Sequence, residues 1–581
     1  MSEEQGSESA VSRRQAIKED EMAKEKEAPK KVSRREFVKG AAVGGAGVAA
    51  AGMLASCAPA PTTAPEAAPT CPPAAECPLS PVAGVPETWD KEADVIVVGT
   101  GPAGAVAAAV AVEAGATVIL LDMNDEFGGQ GVICGGGLLI GGGTRIQELN
   151  GITDTPDILF AHMSDPKVRD YRRHDPAVLR AWCDYSPIAF AWLEEHGVKF
   201  SDELSPLDMG SLANRIEYNH RITWDQPTKN NPTAKGTWNS GAGLLLPLQA
   251  IATEKGVEIL LEHKMTKIIR EGGMAGRALG VEVEAGGEKL YFKARKGVIL
   301  GTGSWKGHKW LRKLYDPRAT EDIIESGQPF VSVDGSGIQA GLEVGGVLAT
   351  DAASCWHGWH RHWGTLYHNF PLGSPYAAHG LDISGGKMAN VIIVNKSGTR
   401  FLSEAASEKD EIEGSWYDFA LPQEDHILWA IFDDAAAKRE EWDPNPPVVE
   451  EDLAFSAPTI GELATLIGVP GDALSETVSR YNTFVDAGED TDFGKPKDLL
   501  TYKIETPPFY GVWVSIQIHD TAGGLAVNDK FQVMDVYGDS IPGLYAAGEA
   551  AGSLIFSSGM VKAVAPGYIC GENAAAEEPW E

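Results

Sequence analysis

The segment "ADVIVVGTGPAGAVAAAVAVEAGATVILLD" (Ala93–Asp122) constrains the fold of this chain more than any other. A short apolar β pattern, Asp94–Val98, runs straight into Gly99-x-Gly101-x-x-Gly104. The small residues Ala105–Ala114 then predict a helix, Thr117–Leu121 predicts a second strand, and Asp122 closes the unit. Each glycine has a physical task. Gly99 permits a tight turn, Gly101 lets backbone approach a pyrophosphate, and Gly104 lets the helix pack close on the strand. The helix N-terminus then faces the anion. Asp122 follows Gly104 by 18 residues and is placed to accept ribose hydroxyls. A GxGxxG alone is a weak signal; with strand, helix, strand and terminal acid around it, it predicts a nucleotide-binding βαβ unit in an α/β fold.

Composition agrees with that class. A chain of 581 residues with 43% hydrophobic content and 66 glycines suits a loop-rich α/β protein of two or three domains. The net charge is −33, and no Lys/Arg stripe occurs beyond the first forty residues, which argues against a nucleic-acid partner. Seven cysteines occur without a CxxC pair or a CxxCH site. Neither a disulfide scaffold, a haem nor an iron–sulfur cluster is expected, so electrons must pass to or from a separate carrier.

The first ninety residues read as targeting sequence. Residues 1–32 are charged and low in apolar content. "SRREFVK" (Ser33–Lys39) then precedes sixteen small or apolar residues, Gly40–Ala55, too short and too Gly/Ala-rich for a membrane span. Twin arginines before a weakly apolar run predict a twin-arginine export signal over residues 1–56, with Met22 an alternative start. "LASC" (Leu54–Cys57) resembles a lipobox that makes Cys57 a lipidated first residue; the alternative is an ordinary cleavage site nearby. Residues 57–90 form a Pro-rich tether in which Cys71 and Cys77 are incidental or form a small disulfide. The expected location is the periplasm or the outer face of the cytoplasmic membrane. A route that carries folded proteins also predicts a cofactor loaded beforehand.

Further motifs decide which cofactor. "DEFGGQGVICGGGLLIGGG" (Asp125–Gly143) allows backbone to lie against a flat ring. "KGVILGTGS" (Lys296–Ser304) and "IPGLYAAGEAAG" (Ile541–Gly552) read as strands that end in glycine turns. With "VDGSGIQAGLEVGGVL", "VNKSGTRFLSE", "PPFYGV" and "TAGGLAVN", the chain resembles, from about residue 92 to 576, the flavoprotein superfamily of fumarate reductases, urocanate reductases and 3-ketosteroid dehydrogenases. That resemblance implies a Rossmann-like FAD-binding domain split in sequence (91–350 and 520–581) with an inserted α+β cap domain (351–519). It implies that Gly99, Gly101, Ala103, Gly104, Asp122, Gly128, Gly129, Thr302, Gly303, Asp334, Gly548 and Glu549 hold FAD. "SSGMVKAVAPGYICGENAAA" (Ser557–Ala576) would start a helix whose positive end points at the flavin pyrimidine. No second dinucleotide motif occurs, so direct NAD(P)H oxidation is not expected.

The reaction implied is hydride transfer between flavin N5 and a carbon, with proton movement on the neighbouring carbon. Fumarate reductases carry a catalytic Arg four residues beyond the Glu of their "RF.NE" motif; here "RFLSE" is followed by Glu408 at that place, with Lys409 beside it. Their His before "TxGG" is replaced by Asp520, with His519 one residue earlier, and "SLIFSSG" in the last loop contains no Arg. His357 falls where they place a carboxylate-binding His. Losing three of four cationic positions argues against a dicarboxylate, whose charges would be buried unpaired. The steroid-dehydrogenase side fits better: "PLGSPYAAHG" carries Tyr376 in a Gly-x-Pro-Tyr element like theirs, although Ser557 and Ser558 stand where their second Tyr would be. His357, His360, His362 and His368 match no common metal-ligand spacing; with three Trp they line a substrate site or simply pack, and no metal is expected. Tyr417 reads as structural.

The sequence therefore predicts an exported FAD oxidoreductase acting on a CH–CH/C=C bond conjugated to a carbonyl, with a flat, apolar enone or ketosteroid-like substrate. His357, Tyr376, His519 and Asp520 are the candidates for polarising the carbonyl and moving the proton. The alternatives are a reductase of a small unsaturated carboxylate and a non-catalytic flavin-bearing electron-transfer or binding lipoprotein. The partners expected are a small molecule, a quinone-linked or soluble redox protein, and a membrane only through the lipid anchor.

Overall fold

The computed structural model describes residues 84–166, 174–204, 218–226, 228, 236, 240–315, 324–325, 332–349, 366–368, 391–404, 419–420, 422–424, 428–439, 454–518, 521, 523–554 and 559–580. Strand β1 (Lys91–Val98) leads into helix α1 (Pro102–Glu113) and back through β2 (Val118–Leu121). Then come β3 (Gly137–Leu139), helix α2 (Pro176–Glu195) and β4 (Asn219–Arg221). Helix α3 (Ala242–Glu254) precedes β5 (Glu258–Leu260), β6 (Lys264–Arg270), β7 (Ala278–Ala285) and β8 (Glu288–Leu300). The middle of the chain holds β9 (Ile324–Glu325), helix α4 (Ser336–Glu343), β10 (Leu366–His368), β11 (Ile392–Asn395), β12 (Leu428–Asp433) and β13 (Ala454–Ala457). Helices α5 (Ile460–Ile467) and α6 (Gly471–Ala487) and strand β14 (Phe509–Ile518) follow, and β15 (Gln532–Met534), β16 (Ser540–Ala546) and helix α7 (Gly559–Ala576) close it.

The main sheet runs β15-β16-β8-β1-β2-β5, with β7 and β6 added beside β8. Strands β16, β8, β1, β2 and β5 are mutually parallel, so their carboxyl ends lie along one edge. The strand predicted from Asp94 begins three residues earlier, because Lys91–Ala93 pair with Phe292–Ala294 of β8. Likewise the strand predicted at Lys296 extends back to Glu288, where its first half pairs with β7 as an antiparallel hairpin. Local pattern stops where side chains turn amphiphilic; the ladder continues because its hydrogen bonds are made by backbone.

Helix α1 is built almost wholly of Ala, Val and Gly, and Ala103–Ala111 are buried without interruption. A helix that is apolar all round must be covered all round. Here α7 lies on one side: a Cβ on Gly567 would meet Ala103 O at 2.5 Å, and one on Gly571 would meet Ala107 O at 2.6 Å. Both contacts advance by four residues along each helix, so α1 and α7 run parallel.

A second sheet runs β10-β14-β12-β11, with β13 and β9 also on β14. Its strands β11 and β12 are divided between two cores with period two. Ile392, Val394, Trp429 and Ile431 pack with Leu463, Ile467, Leu474 and Phe484 of α5 and α6. Ile393, Leu428, Ala430 and Phe432 instead join the core of the main sheet. These two strands are therefore buried on both faces, which is why they read as unbroken apolar runs rather than as alternating ones.

Candidate functional site

The carboxyl ends of β1, β2, β8 and β16 bring together residues as far apart in sequence as Gly99 and Glu549. Gly99 turns at φ +101°, and a Cβ there would lie 2.3 Å from Gly301 O, just past β8. A Cβ on Gly104 would lie 1.8 Å from Gly99 O, so β1, β8 and α1 meet with no room for a side chain. Gly101 is the exception: a Cβ there would have nothing within 4 Å. The helix N-terminus, with Pro102 at its first position, thus opens on free space. Gly129 (φ +50°) lies alongside, its ideal Cβ 3.4 Å from Gly101 Cα, and Gly548 (φ +69°) comes within 3.1 Å of Ala103 Cβ in the same sense. A bare backbone cradle at a helix N-terminus is an anion site.

Asp122 is buried and has a task the sequence did not reveal. Its Oδ2 accepts from Thr100 N and Thr100 Oγ1, both at 2.7 Å, and its Oδ1 accepts from Asn124 N at 2.9 Å and Asn124 Nδ2 at 2.8 Å. Thr100 Oγ1 in turn accepts from Gly128 N at 3.0 Å. The carboxylate therefore braces the first glycine turn against the second. Asn124 also bonds Ser332, its Oδ1 accepting from Ser332 N at 3.0 Å, which draws the 332–334 segment to the end of β2. There Asp334 accepts from Ser336 N at 3.0 Å and pairs with Lys264 at 2.6 Å. Burial raises the Asp334 pKa, but Lys264 and the Ser336 bonds outweigh it and hold the carboxyl below its ordinary value.

Thr302 and Gly303 (φ +76°) come after Gly301 at the end of β8. Gly337 of α4 leaves space for Thr302, since a Cβ there would meet Thr302 Oγ1 at 2.1 Å. Thr302 Oγ1 itself is buried without a hydrogen-bond partner. Glu549 accepts from Thr521 N at 2.5 Å, which links the 548–549 turn to the loop that carries Gly523 and Gly524. Gly524, at φ +140°, is pressed against Ala550, where a Cβ would meet the carbonyl oxygen at 2.5 Å.

Thus all twelve predicted cofactor residues are described, and eleven cluster at this edge; Asp334 reaches it through Asn124. Sequence reasoning missed Thr100, Asn124, Lys306 and Lys562. Lys306 is fully buried and donates to Gln130 of the second glycine stretch. Lys562 is 1% exposed and donates to Thr521 O. Lys562 is the one cation in the apolar run "GMVKAVAPG", and that is the signal that could have found it; Lys306, in "SWKGHKW", carries no such signal. The candidates His357, Tyr376, His519 and Asp520 lie outside the described residues. So do His360, His362, Lys409, Tyr417, Ser557, Ser558 and the segment 1–83 with Cys57.

This cradle fits FAD on its own geometry: an open helix N-terminus, glycines with no space for a Cβ, and an orphaned buried hydroxyl. Comparison with known proteins agrees. The family described as FAD binding domain matches residues 94–560, and the chain belongs to it. It is an FAD-dependent oxidoreductase related to fumarate reductases and 3-ketosteroid dehydrogenases. A fumarate reductase (cytochrome) of Shewanella frigidimarina is 27% identical, over 83% of this chain and 77% of its own. A digoxin reductase of Eggerthella lenta is also 27% identical, over 95% of this chain and 98% of its own. Among solved structures, the open conformation of a flavocytochrome c3 fumarate reductase superposes with a TM-score of 0.66 at 25% identity, over 84% of this chain and 78% of that one.

Proposed function

We propose that this chain is an exported flavoprotein that transfers hydride between flavin N5 and a CH–CH/C=C bond conjugated to a carbonyl, on a flat and mostly apolar substrate. FAD supplies the hydride chemistry when bound. Gly99, Gly101 and Gly104 would hold its pyrophosphate at the α1 N-terminus, and Gly128 and Gly129 would lie along it. Thr302 would spend its orphaned hydroxyl on it, and Gly548 and Glu549 would border the ring side. Because both Asp122 oxygens are already occupied within the protein, Asp122 would act mainly by bracing the turn, with ribose contact secondary.

What carries the substrate reading is the charge of two positions. A carboxylate substrate needs cations to offset its burial. The residue four beyond Glu404 is Glu408, and the residue before Thr521 is Asp520, so both sites present acids where fumarate reductases present an Arg and a His. An acid there repels a carboxylate and suits a neutral carbonyl end, with Asp520 or His519 taking the proton and His357 or Tyr376 polarising the oxygen. The end-to-end match to a protein named for digoxin supports the same choice. The second sheet, with β10 and β14 in it, is the proposed cap over the flavin.

The test is a substrate panel on purified, FAD-loaded protein with reduced viologen as donor and a dye as acceptor. Turnover is expected with cyclic enones or ketosteroids and to be at least about a hundredfold slower with fumarate, the effect of losing two or more buried ion pairs. Fast fumarate turnover would establish the small-carboxylate reading instead. No response to any enone or ketosteroid would favour the non-catalytic lipoprotein. For export, "SRREFVK" and "LASC" are the support, and fractionation of cells expressing the full chain is the check. Flavoprotein is expected on the membrane outside the cytoplasm, and Cys57→Ala is expected to release it; cytoplasmic flavoprotein would sink the export reading.

A further inference from the structure

Lys562 lies in the first turn of α7 within the apolar run "GMVKAVAPG" and is almost wholly buried. Its ammonium donates to the carbonyl of Thr521, whose N–H donates to Glu549 Oε1 at 2.5 Å. Both backbone polar groups of one loop residue are thus held by side chains of opposite charge, the buried Lys562 and the half-buried Glu549. That residue directly follows His519 and Asp520 and stands two residues before the Gly523–Gly524 turn.

A cation at this place is costly on two counts. The N-terminus of a helix already carries about half a positive charge, and taking an ammonium out of water costs several kcal/mol even after relaxation. The Thr521 carbonyl is one of the groups that offset this. An apolar side chain of similar length would pack the same space without the cost, so packing alone does not account for the lysine.

The helix geometry says where the charge points. Gly567 of α7 lies against Ala103 of α1. The first position is eight residues into its helix and the second is one residue into its own. In a parallel pair, α7 therefore overhangs α1 by about seven residues, roughly 10 Å at 1.5 Å per residue. The α1 terminus faces the anion cradle; the α7 terminus, with Lys562 in its first turn, projects beyond it on the same side.

We propose that Lys562 is a positioning residue of the flavin site. It fixes the Thr521 loop and lends positive charge beside the redox-active ring of FAD, which favours the two-electron-reduced cofactor and raises its potential. The proposal rests on the reading that the ring lies beyond the cradle toward the α7 terminus.

The test compares wild type with Lys562→Met, Lys562→Gln and Lys562→Arg, measuring FAD content after reconstitution and midpoint potential by dye equilibration. Lys562→Gln keeps a donor for Thr521 but no charge, and serves also if Lys562→Met does not fold. Expected is an FAD-loaded Lys562→Gln whose reduction equilibrium has moved about tenfold toward the oxidised form, roughly 30 mV for a two-electron couple. Lys562→Arg should stay near wild type. An unchanged potential in Lys562→Gln, or an equal fall in Lys562→Arg, overturns the proposal. Wild-type protein that takes up no FAD instead sinks the reading of the site, a failure distinguishable from the first.

Discussion

Gly104→Ala is expected to yield protein that retains less than about a tenth of the FAD of wild type and is destabilised by at least ~2–3 kcal/mol, the upper end of ordinary overpacking costs. The added methyl would sit 1.8 Å from the carbonyl oxygen of Gly99. That neighbour is backbone, not the flexible end of a side chain, so relief requires moving α1 away from β1. Gly301 lies against Gly104 N as well, where a Cβ on Gly301 would come within 2.7 Å, so the ends of β1 and β8 both pack on this point of α1. Displacing α1 by even a fraction of an ångström shifts the N–H groups that open beside Gly101, so stability and cofactor retention should fall together. Gly461→Ala is the matched control. Gly461 is exposed in α5 and a Cβ there has nothing within 4 Å, so the change should be neutral or stabilising by about 0.4–1 kcal/mol. FAD content and denaturant unfolding of the two variants check this. A Gly104→Ala protein with wild-type flavin content and stability would mean that the strand–helix contact is looser than described.

Arg400→Met is expected to cost about 3–5 kcal/mol at neutral pH, the range for removing one partner of a buried ion pair. Arg400 donates through Nε to Glu404 Oε1 at 2.8 Å and through Nη2 to Glu404 Oε2 at 2.7 Å and Asp490 Oδ2 at 2.9 Å. Lys495 Nζ stands 3.5 Å from Glu404 Oε2 and donates to Val391 O at 2.9 Å. Two acids and two bases are thus buried together at net zero charge, tying the turn after β11 to the loop after α6. Without Arg400, two carboxylates face one ammonium. Burial raises the pKa of both acids; Lys495 and Arg400 for Glu404, and Arg400 for Asp490, reverse this and hold them below their ordinary values.

The pH dependence follows from that direction. A carboxyl depressed in the folded state contributes stability that is fully present above its unfolded pKa, about 4.3 for Glu and 3.9 for Asp, and lost as pH falls through the folded value. The difference between wild type and Arg400→Met should therefore be largest near pH 7 and shrink below about pH 4, as the carboxylates protonate. Chemical unfolding of both proteins across that range measures it. A difference constant with pH would show that Arg400 acts by packing and not by charge.

Much of the cradle was legible because its residues are local and their spacing has one physical use. A strand, three glycines and a helix of alanines can hardly be arranged otherwise, and α1 duly packs from Pro102 to Glu113 with every residue from Ala103 to Ala111 buried. Asp122 stands one residue past the end of β2, but the bonds it makes there were not legible. Whether an acid at a strand end faces a ligand or a turn depends on what stands across from it, and Thr100 and Asn124 stand there. Asp334 shows the same limit, since its partner Lys264 is seventy residues away in the chain.

By itself, then, the sequence determined the α/β class and the nucleotide turn, because backbone conformations that exclude a Cβ leave glycine as the only usable residue, and this shows in the letters; the cofactor followed from the resemblance to a flavoprotein family. Tertiary structure alone decided that α7 lies parallel to α1 and overhangs it, that the second sheet is shared by two cores, and that Arg400, Glu404, Asp490 and Lys495 neutralise one another. It also decided that Lys562 and Glu549 grip opposite ends of Thr521. Those are matters of which distant side chains share a low-dielectric space. Charge pairing there is set by distance in the fold, and a linear order of residues carries no distance beyond the nearest turn.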